Sequence, residues 1–120
     1  MDKRKYINER NKMFIGGNWI DGEGGETIDV YCPDDGEQMG TIPEGSMRDV
    51  ENAVASAEQA FESWKLTSPA ERGIILNKIA DIIEKNADRF AHIEMLDTGK
   101  ALRECETCDI PLAIDHFRYF

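Results

Sequence analysis

Pro43-Glu44-Gly45-Ser46-Met47-Arg48-Asp49-Val50 is where this chain changes its period. Upstream the pattern is one of short strands and tight turns. Downstream, apolar residues recur every three to four positions. Met47, Val50, Ala53, Val54, Ala57, Ala60, Phe61 and Trp64 fall on one helical stripe. Ser46 suits the N-cap, and Asp49 lies in the first turn, where the positive end of the helix dipole favours an acid. The switch from a period of two to one near 3.6 predicts an α+β chain: short strands and a hairpin first, then amphipathic helices.

The region before the switch is read from its turns. Gly16-Gly17-Asn18 separates Phe14-Ile15 from Trp19-Ile20 as a hairpin turn, because glycine adopts positive φ without cost and asparagine tolerates it. Thr27 to Tyr31 is a β-branched strand, Pro33-Asp34-Asp35-Gly36-Glu37 a turn, and Gln38 to Ile42 a returning strand. Gly22-Glu23-Gly24-Gly25-Glu26-Thr27 begins like a dinucleotide fingerprint. It has Thr27 at the third glycine and no helix start after it, so a plain hairpin turn is the expectation. Residues 1–12 read as a polar leader.

Beyond the switch, Ser68-Pro69-Ala70-Glu71 combines an N-cap, a proline at N1 and a capping-box glutamate. Ile75, Leu76, Ile79, Ala80, Ile82 and Ile83 form the apolar face that follows. Asn86 is the expected cap of a third helix through Phe90, Ile93 and Leu96, with Gly99 as its C-cap. A fourth helix is expected from about Ala101 onward. Pro111 lies inside it, where a proline removes a backbone hydrogen bond and kinks the helix. Four helices are therefore predicted.

Bulk properties narrow the function classes. The chain has 120 residues, 24 acids against 14 bases, and a formal net charge of −10. That sign repels phosphate backbones and anionic lipid heads, so neither nucleic acid nor a membrane surface is an expected partner. No apolar stretch reaches the roughly 18 residues of a spanning helix. Three cysteines at irregular spacing do not make a disulfide framework. Together these predict a reduced, cytoplasmic setting.

Few residue groups point to chemistry by themselves. Cys105-Glu106-Thr107-Cys108 is a CxxC inside a helical run and beside acids, where a redox pair would instead open a helix that lowers a thiol pKa. Helix-face packing is the better reading. His92 and His116 have no Ser or Cys at a nucleophile–base spacing. Asp34-Asp35-Gly36-Glu37 lacks the alternating ligands of a calcium loop.

The order of the motifs carries more. Phe14-Ile15-Gly16-Gly17-Asn18-Trp19-Ile20, Pro33-Asp34-Asp35-Gly36-Glu37, Ile42-Pro43-Glu44-Gly45, Ala60-Phe61 with Trp64, Ser68-Pro69-Ala70-Glu71-Arg72, Glu94-Met95-Leu96-Asp97-Thr98-Gly99-Lys100 and Phe117-Arg118-Tyr119-Phe120 occur in one sequence. In that order and spacing they resemble the N-terminal segment of the aldehyde dehydrogenase superfamily, nearest its betaine-aldehyde-type members. The resemblance covers about residues 13–120. It implies the N-terminal portion of a cofactor-binding domain of the α/β aldehyde dehydrogenase fold, incomplete at the C-terminal end. The helical run reaching Phe120 with no stop signal is read in the same sense.

The resemblance also implies an activity for a parent enzyme: oxidation of an aldehyde to a carboxylic acid with NAD or NADP, through a cysteine thiohemiacetal. The family nucleophile and its glutamate lie in a later segment. None of Cys32, Cys105 and Cys108 matches the nucleophile motif, so no catalytic or cofactor-binding residue is assigned, and neither cofactor is expected to bind tightly to this stretch alone. Two lesser roles follow. Val30, Tyr31 and Asp97 correspond to a structural monovalent cation site for K+ or Na+, although Cys32 stands where asparagine is usual. Asp109 and Leu112 correspond to part of the aldehyde entrance, where Pro111 departs from the family. Expected partners are the remainder of the subunit and further copies of the chain. The competing reading is a stand-alone helical interaction module that docks on a full-length homologue or another protein.

Overall fold

The computed structural model describes residues 5–7 and 11–120. The contacts divide them into two compact units. A hairpin unit comprises residues 11–31 and 38–67; a helical unit comprises residues 5–7, 32–37 and 68–120.

The hairpin unit contains two separate two-stranded antiparallel sheets and one helix. Strands β1 (Met13–Ile15) and β2 (Asn18–Ile20) pair with Ile15 opposite Asn18 and Met13 opposite Ile20. Gly16 and Gly17 alone form the turn, at φ 60° and 79°, the two positive angles a two-residue hairpin of this hand requires. Asn18 belongs to β2, and its side-chain amide donates to the Gly16 carbonyl at 3.1 Å. Phe14 and Trp19 face each other across this ribbon with ring centroids 4.9 Å apart.

Strands β3 (Thr27–Tyr31) and β4 (Gln38–Pro43) make the second ribbon. Its register pairs Val30 with Gly40 and Tyr31 with Gln38, so Met39 is an extra residue in a bulge. The Gly22–Glu26 segment is not the hairpin turn expected from its glycines, because β2 and β3 are not paired with each other. It connects the two ribbons. A side chain at Gly22 would meet the Met13 methyl at 3.0 Å and the Glu44 carbonyl at 3.3 Å, which explains the glycine.

Helix α1 (Met47–Trp64) starts as its sequence requires. The Asp49 amide donates to the Ser46 hydroxyl, and the Asp49 carboxylate accepts from the Ser46 amide, closing a capping box. The apolar stripe of α1 is largely uncovered: Met47, Val50, Val54, Phe61 and Trp64 are all exposed.

The helical unit is built from α2 (Pro69–Lys85), α3 (Ala87–Thr98), a short α4 (Leu102–Glu104) and α5 (Ile110–Tyr119), with one wide turn, Cys105–Asp109, joining the last two. Ser68 and Glu71 form the second capping box at the start of α2. Asn86 stands at the N-cap position of α3, as expected, but its side chain makes no capping bond there. Its side-chain amide turns back to the Ile82 carbonyl at 2.7 Å, closing α2 instead. Gly99 ends α3 at φ 73°, with its amide on the Met95 carbonyl at 2.9 Å. The core residues of this unit are Cys32, Ala80, Ala91, His92, Leu96, Cys105 and Ile114. Arg118 of α5 reaches Asp81 and Glu84 of α2 at 3.3 and 2.6 Å.

The kink expected at Pro111 in the fourth helix takes another form, a widened turn at Cys105–Asp109. There the Ile110 amide donates to the Cys105 carbonyl five residues back, which is a π-turn. Pro111 supplies the cause. It has no amide to give, and in an α-register its ring would press on the carbonyl of Thr107, four residues earlier. Widening the preceding turn relieves that clash.

The polar leader 1–12 falls partly outside the described residues. Where it is described, it is anchored. The Tyr6 hydroxyl donates to Asp88 at 2.5 Å, and Asn11 binds the Thr41 carbonyl through its amide at 3.0 Å.

Candidate functional site

A polar cluster in the helical unit surrounds Lys100. Gly99, held at positive φ, ends α3 and lets the chain reverse into Ala101 and α4. The reversal places the Lys100 ammonium 2.9 Å from the Asp109 carboxylate and 3.4 Å from that of Glu94. The hydrogen bond to Asp109 is the main cause that pushes the Lys100 pKa above its usual value, so it is a cation at neutral pH.

Cys105 lies beneath this cluster, fully buried. Its thiol pKa is pushed up, first by burial and then by the nearby Asp109 and Glu94 carboxylates. A thiol kept protonated in this way is a poor nucleophile. Cys108, its CxxC partner, is exposed. The two sulfurs therefore face different surroundings, which agrees with the packing reading of the motif. A cavity of about 300 Å³ at the Gly99 reversal is lined by Cys32, Asp34, Leu96, Gly99 and Lys100.

The two entrance residues have different settings. Asp109 closes the π-turn and is tied to Lys100. Leu112 is exposed on α5 and lines a shallow apolar groove of about 420 Å³ with Asp115, His116, Tyr119 and Phe120. They share one helical run, and Asp109 is not among the residues that line this groove. Of the three residues expected at a cation, Val30 and Tyr31 belong to β3 in the hairpin unit, and Asp97 is an exposed residue of α3 in the helical unit. Among the described residues, no three His, Cys, Asp or Glu side chains are grouped to hold a metal ion.

The histidines are satisfied. Nδ1 of His92 lies 2.7 Å from the Asp88 carbonyl, and Nδ1 of His116 lies 2.8 Å from that of Leu112. The glycine-rich segment after β2 uses a backbone amide to hold an internal anion: the Glu23 amide donates to both oxygens of the buried Asp49 carboxylate at 3.2 Å. Sequence reading missed Lys100 as the hub of a cluster. The signal was present, in a lysine just after the Gly99 reversal and nine residues before an aspartate that precedes Pro111.

Comparison with known proteins decides the family. Residues 19–120 match the aldehyde dehydrogenase family. The chain belongs to that family. It is 45% identical over 112 residues to an aldehyde dehydrogenase of Paracoccus denitrificans, a match that covers 93% of this chain and 22% of the relative. Among solved structures, an NAD-dependent aldehyde dehydrogenase from Sinorhizobium meliloti aligns with a TM-score of 0.90 and 37% identity, over 98% of this chain and 24% of that one. The NAD+ complex of an aldehyde dehydrogenase from Bacillus cereus aligns with a TM-score of 0.90 and 34% identity, over 95% of this chain and 24% of that one. This aldehyde dehydrogenase chain thus spans about a fifth of the length of the curated relative. Its α+β architecture is a part of the aldehyde dehydrogenase fold, and the match extends across both of its units.

Proposed function

We propose that the chain is the N-terminal part of an NAD(P)-dependent aldehyde dehydrogenase subunit, and that it contributes scaffold and entrance wall rather than reacting groups. The parent enzyme oxidises an aldehyde to a carboxylic acid through a cysteine thiohemiacetal. The observation that carries this reading is the family match over 19–120 on a chain whose buried thiol, Cys105, is held protonated. A nucleophile for a carbonyl must be a thiolate near neutral pH. NAD is favoured over NADP because two similar structures are described with it, one as NAD-dependent and one as an NAD+ complex.

The exposed stripe of α1 supports the remainder of the subunit as its partner, since an apolar face of this size is normally covered. Self-association of the isolated chain and a homo-oligomeric parent follow from the same reading. Betaine-type aldehydes, a cytoplasmic location and a Na+ or K+ ion at Val30, Tyr31 and Asp97 belong to it as well and rest on the resemblance. Carbonyl and carboxylate oxygens suit such hard cations. Asp109 and Leu112 are assigned to the entrance on the same basis.

The test is direct. The 120-residue chain, purified alone, is incubated with NAD and a panel of aldehydes, with the Paracoccus denitrificans relative as positive control. NADH formation indistinguishable from the protein-free background is expected. Turnover by the short chain overturns the assignment of a non-catalytic role.

A further inference from the structure

The helical run from Leu102 to Tyr119 does not keep a single phase. Cys105 is buried upstream of the π-turn and Ile114 is buried downstream of it. They are nine residues apart. An uninterrupted α-helix carries nine residues through about two and a half turns, placing the two side chains on roughly opposite sides. A π-turn accommodates one residue more than an α-turn. The effective spacing falls to about eight, so the two lie roughly 80° apart and share one packed side.

The same slip determines what is left outside. A straight helix continuing the face of Cys105 and Asp109 would carry it on through Leu112, His116 and Tyr119. Those three residues are instead exposed and line the 420 Å³ groove. The residues drawn inward in their place are Ile110, Ala113, Ile114 and Phe117, each at least partly covered.

Two features hold the wide turn. Pro111 disfavours the α-register from below it. From above, Lys100 grips Asp109, the last residue of the π-turn, and is itself held by Glu94 of α3. We propose that Lys100 is a positioning residue. By tying Asp109 to the end of α3 it fixes the one-residue slip, and so turns Leu112, His116 and Tyr119 out of the packed side to form the groove wall. That this wall meets an aldehyde rests on the reading above. The register itself does not.

Positions 112 and 114 report the register, since Leu112 is exposed and Ile114 buried with the wide turn in place. Leu112→Cys and Ile114→Cys versions of the 120-residue chain are alkylated with a maleimide, and each site is quantified by peptide mass spectrometry. Lys100→Met is expected to speed labelling at position 114 by about tenfold or more while slowing labelling at position 112, and Lys100→Arg should restore both rates. A general loosening of the fold would speed both sites together. That outcome, or no change at either site, overturns the proposal. Asp109→Asn weakens the same pair from its other end and decides the question where Lys100→Met does not fold. No substrate is present, so the result is independent of whether the parent acts on aldehydes.

Discussion

The two units meet the same requirement, covering apolar surface, to very different degrees. The helical unit buries Ala80, Ala91, Leu96, Cys105 and Ile114. In the hairpin unit the one described residue that is fully buried is a carboxylate, Asp49. Yet α1, in the hairpin unit, has as clean an apolar period as any helix in the chain. The contrast teaches that an amphipathic period announces that a face is to be covered, and does not say by what. Backbone bonds, caps and tight turns hold the hairpin unit, whereas side-chain packing holds the helical one.

The strongest way to break this comparison is to delete the same kind of group from each unit. Leu96 is 2% exposed, so Leu96→Ala removes packed methyl groups and leaves a cavity, at a cost of about 2–5 kcal/mol. Val54 is 53% exposed on α1. Val54→Ser is expected to cost under about 0.5 kcal/mol in the isolated chain and to reduce self-association. Urea unfolding followed by circular dichroism gives the first quantity, and sedimentation velocity the second. Comparable destabilisation by the two substitutions would mean that the α1 stripe is packed in solution.

Glycines sharpen the contrast at a smaller scale. Gly99 and Gly17 have similar backbones, at φ 73° and 79°, so alanine brings about 1–2 kcal/mol of left-handed strain at either position. At Gly17 the added methyl meets open space. At Gly99 it comes within 3.0 Å of Pro33 Cγ. Gly99→Ala should therefore lower the melting temperature more than Gly17→Ala does. Equal shifts would show that Pro33 yields freely.

These cases also show what the sequence could reveal. Ser46, Ser68 and Gly99 act where their chemistry requires, because caps and left-handed glycines are local devices whose partners lie within a few residues. Asn86 holds its expected N-cap position, yet its side chain is lost to the neighbouring helix for a local reason too: two helix ends compete for it, and the Ile82 carbonyl wins. Non-local features were not legible. Nothing in Gly22–Thr27 says that its amide will hold Asp49 rather than turn a hairpin. Pro111 signalled a disturbed helix but not its form, because a kink and a π-turn relieve the same clash. Of the proposed site, Asp109 and Leu112 came from resemblance, while Lys100, which binds one of them, emerged only when the Gly99 reversal was seen in space.

The smallest effects expected concern acid. Both capping-box carboxylates, Asp49 and Glu71, are held below the usual carboxylate range, chiefly by the hydroxyls of Ser46 and Ser68. A depressed folded-state value stabilises the fold fully above the ordinary carboxylate range, and that contribution is lost as pH falls through the folded value. Asp49 accepts an additional bond from the Glu23 amide and is buried, whereas Glu71 is exposed. Asn in place of Asp49 keeps the shape but puts an amide group where two backbone donors converge. Gln in place of Glu71 preserves a capping box that neutral side chains also complete. Asp49→Asn should therefore lower the melting temperature at neutral pH by several degrees and flatten its acid dependence. Glu71→Gln should leave the neutral melting temperature within about a degree and flatten only a small part of the acid limb. Because hydrogen bonds to neutral donors dominate at both caps, half-molar salt should change neither difference appreciably. A salt-sensitive difference at Asp49 would mean that distant charges, rather than the Ser46 hydroxyl and the two backbone amides, keep its carboxylate ionised.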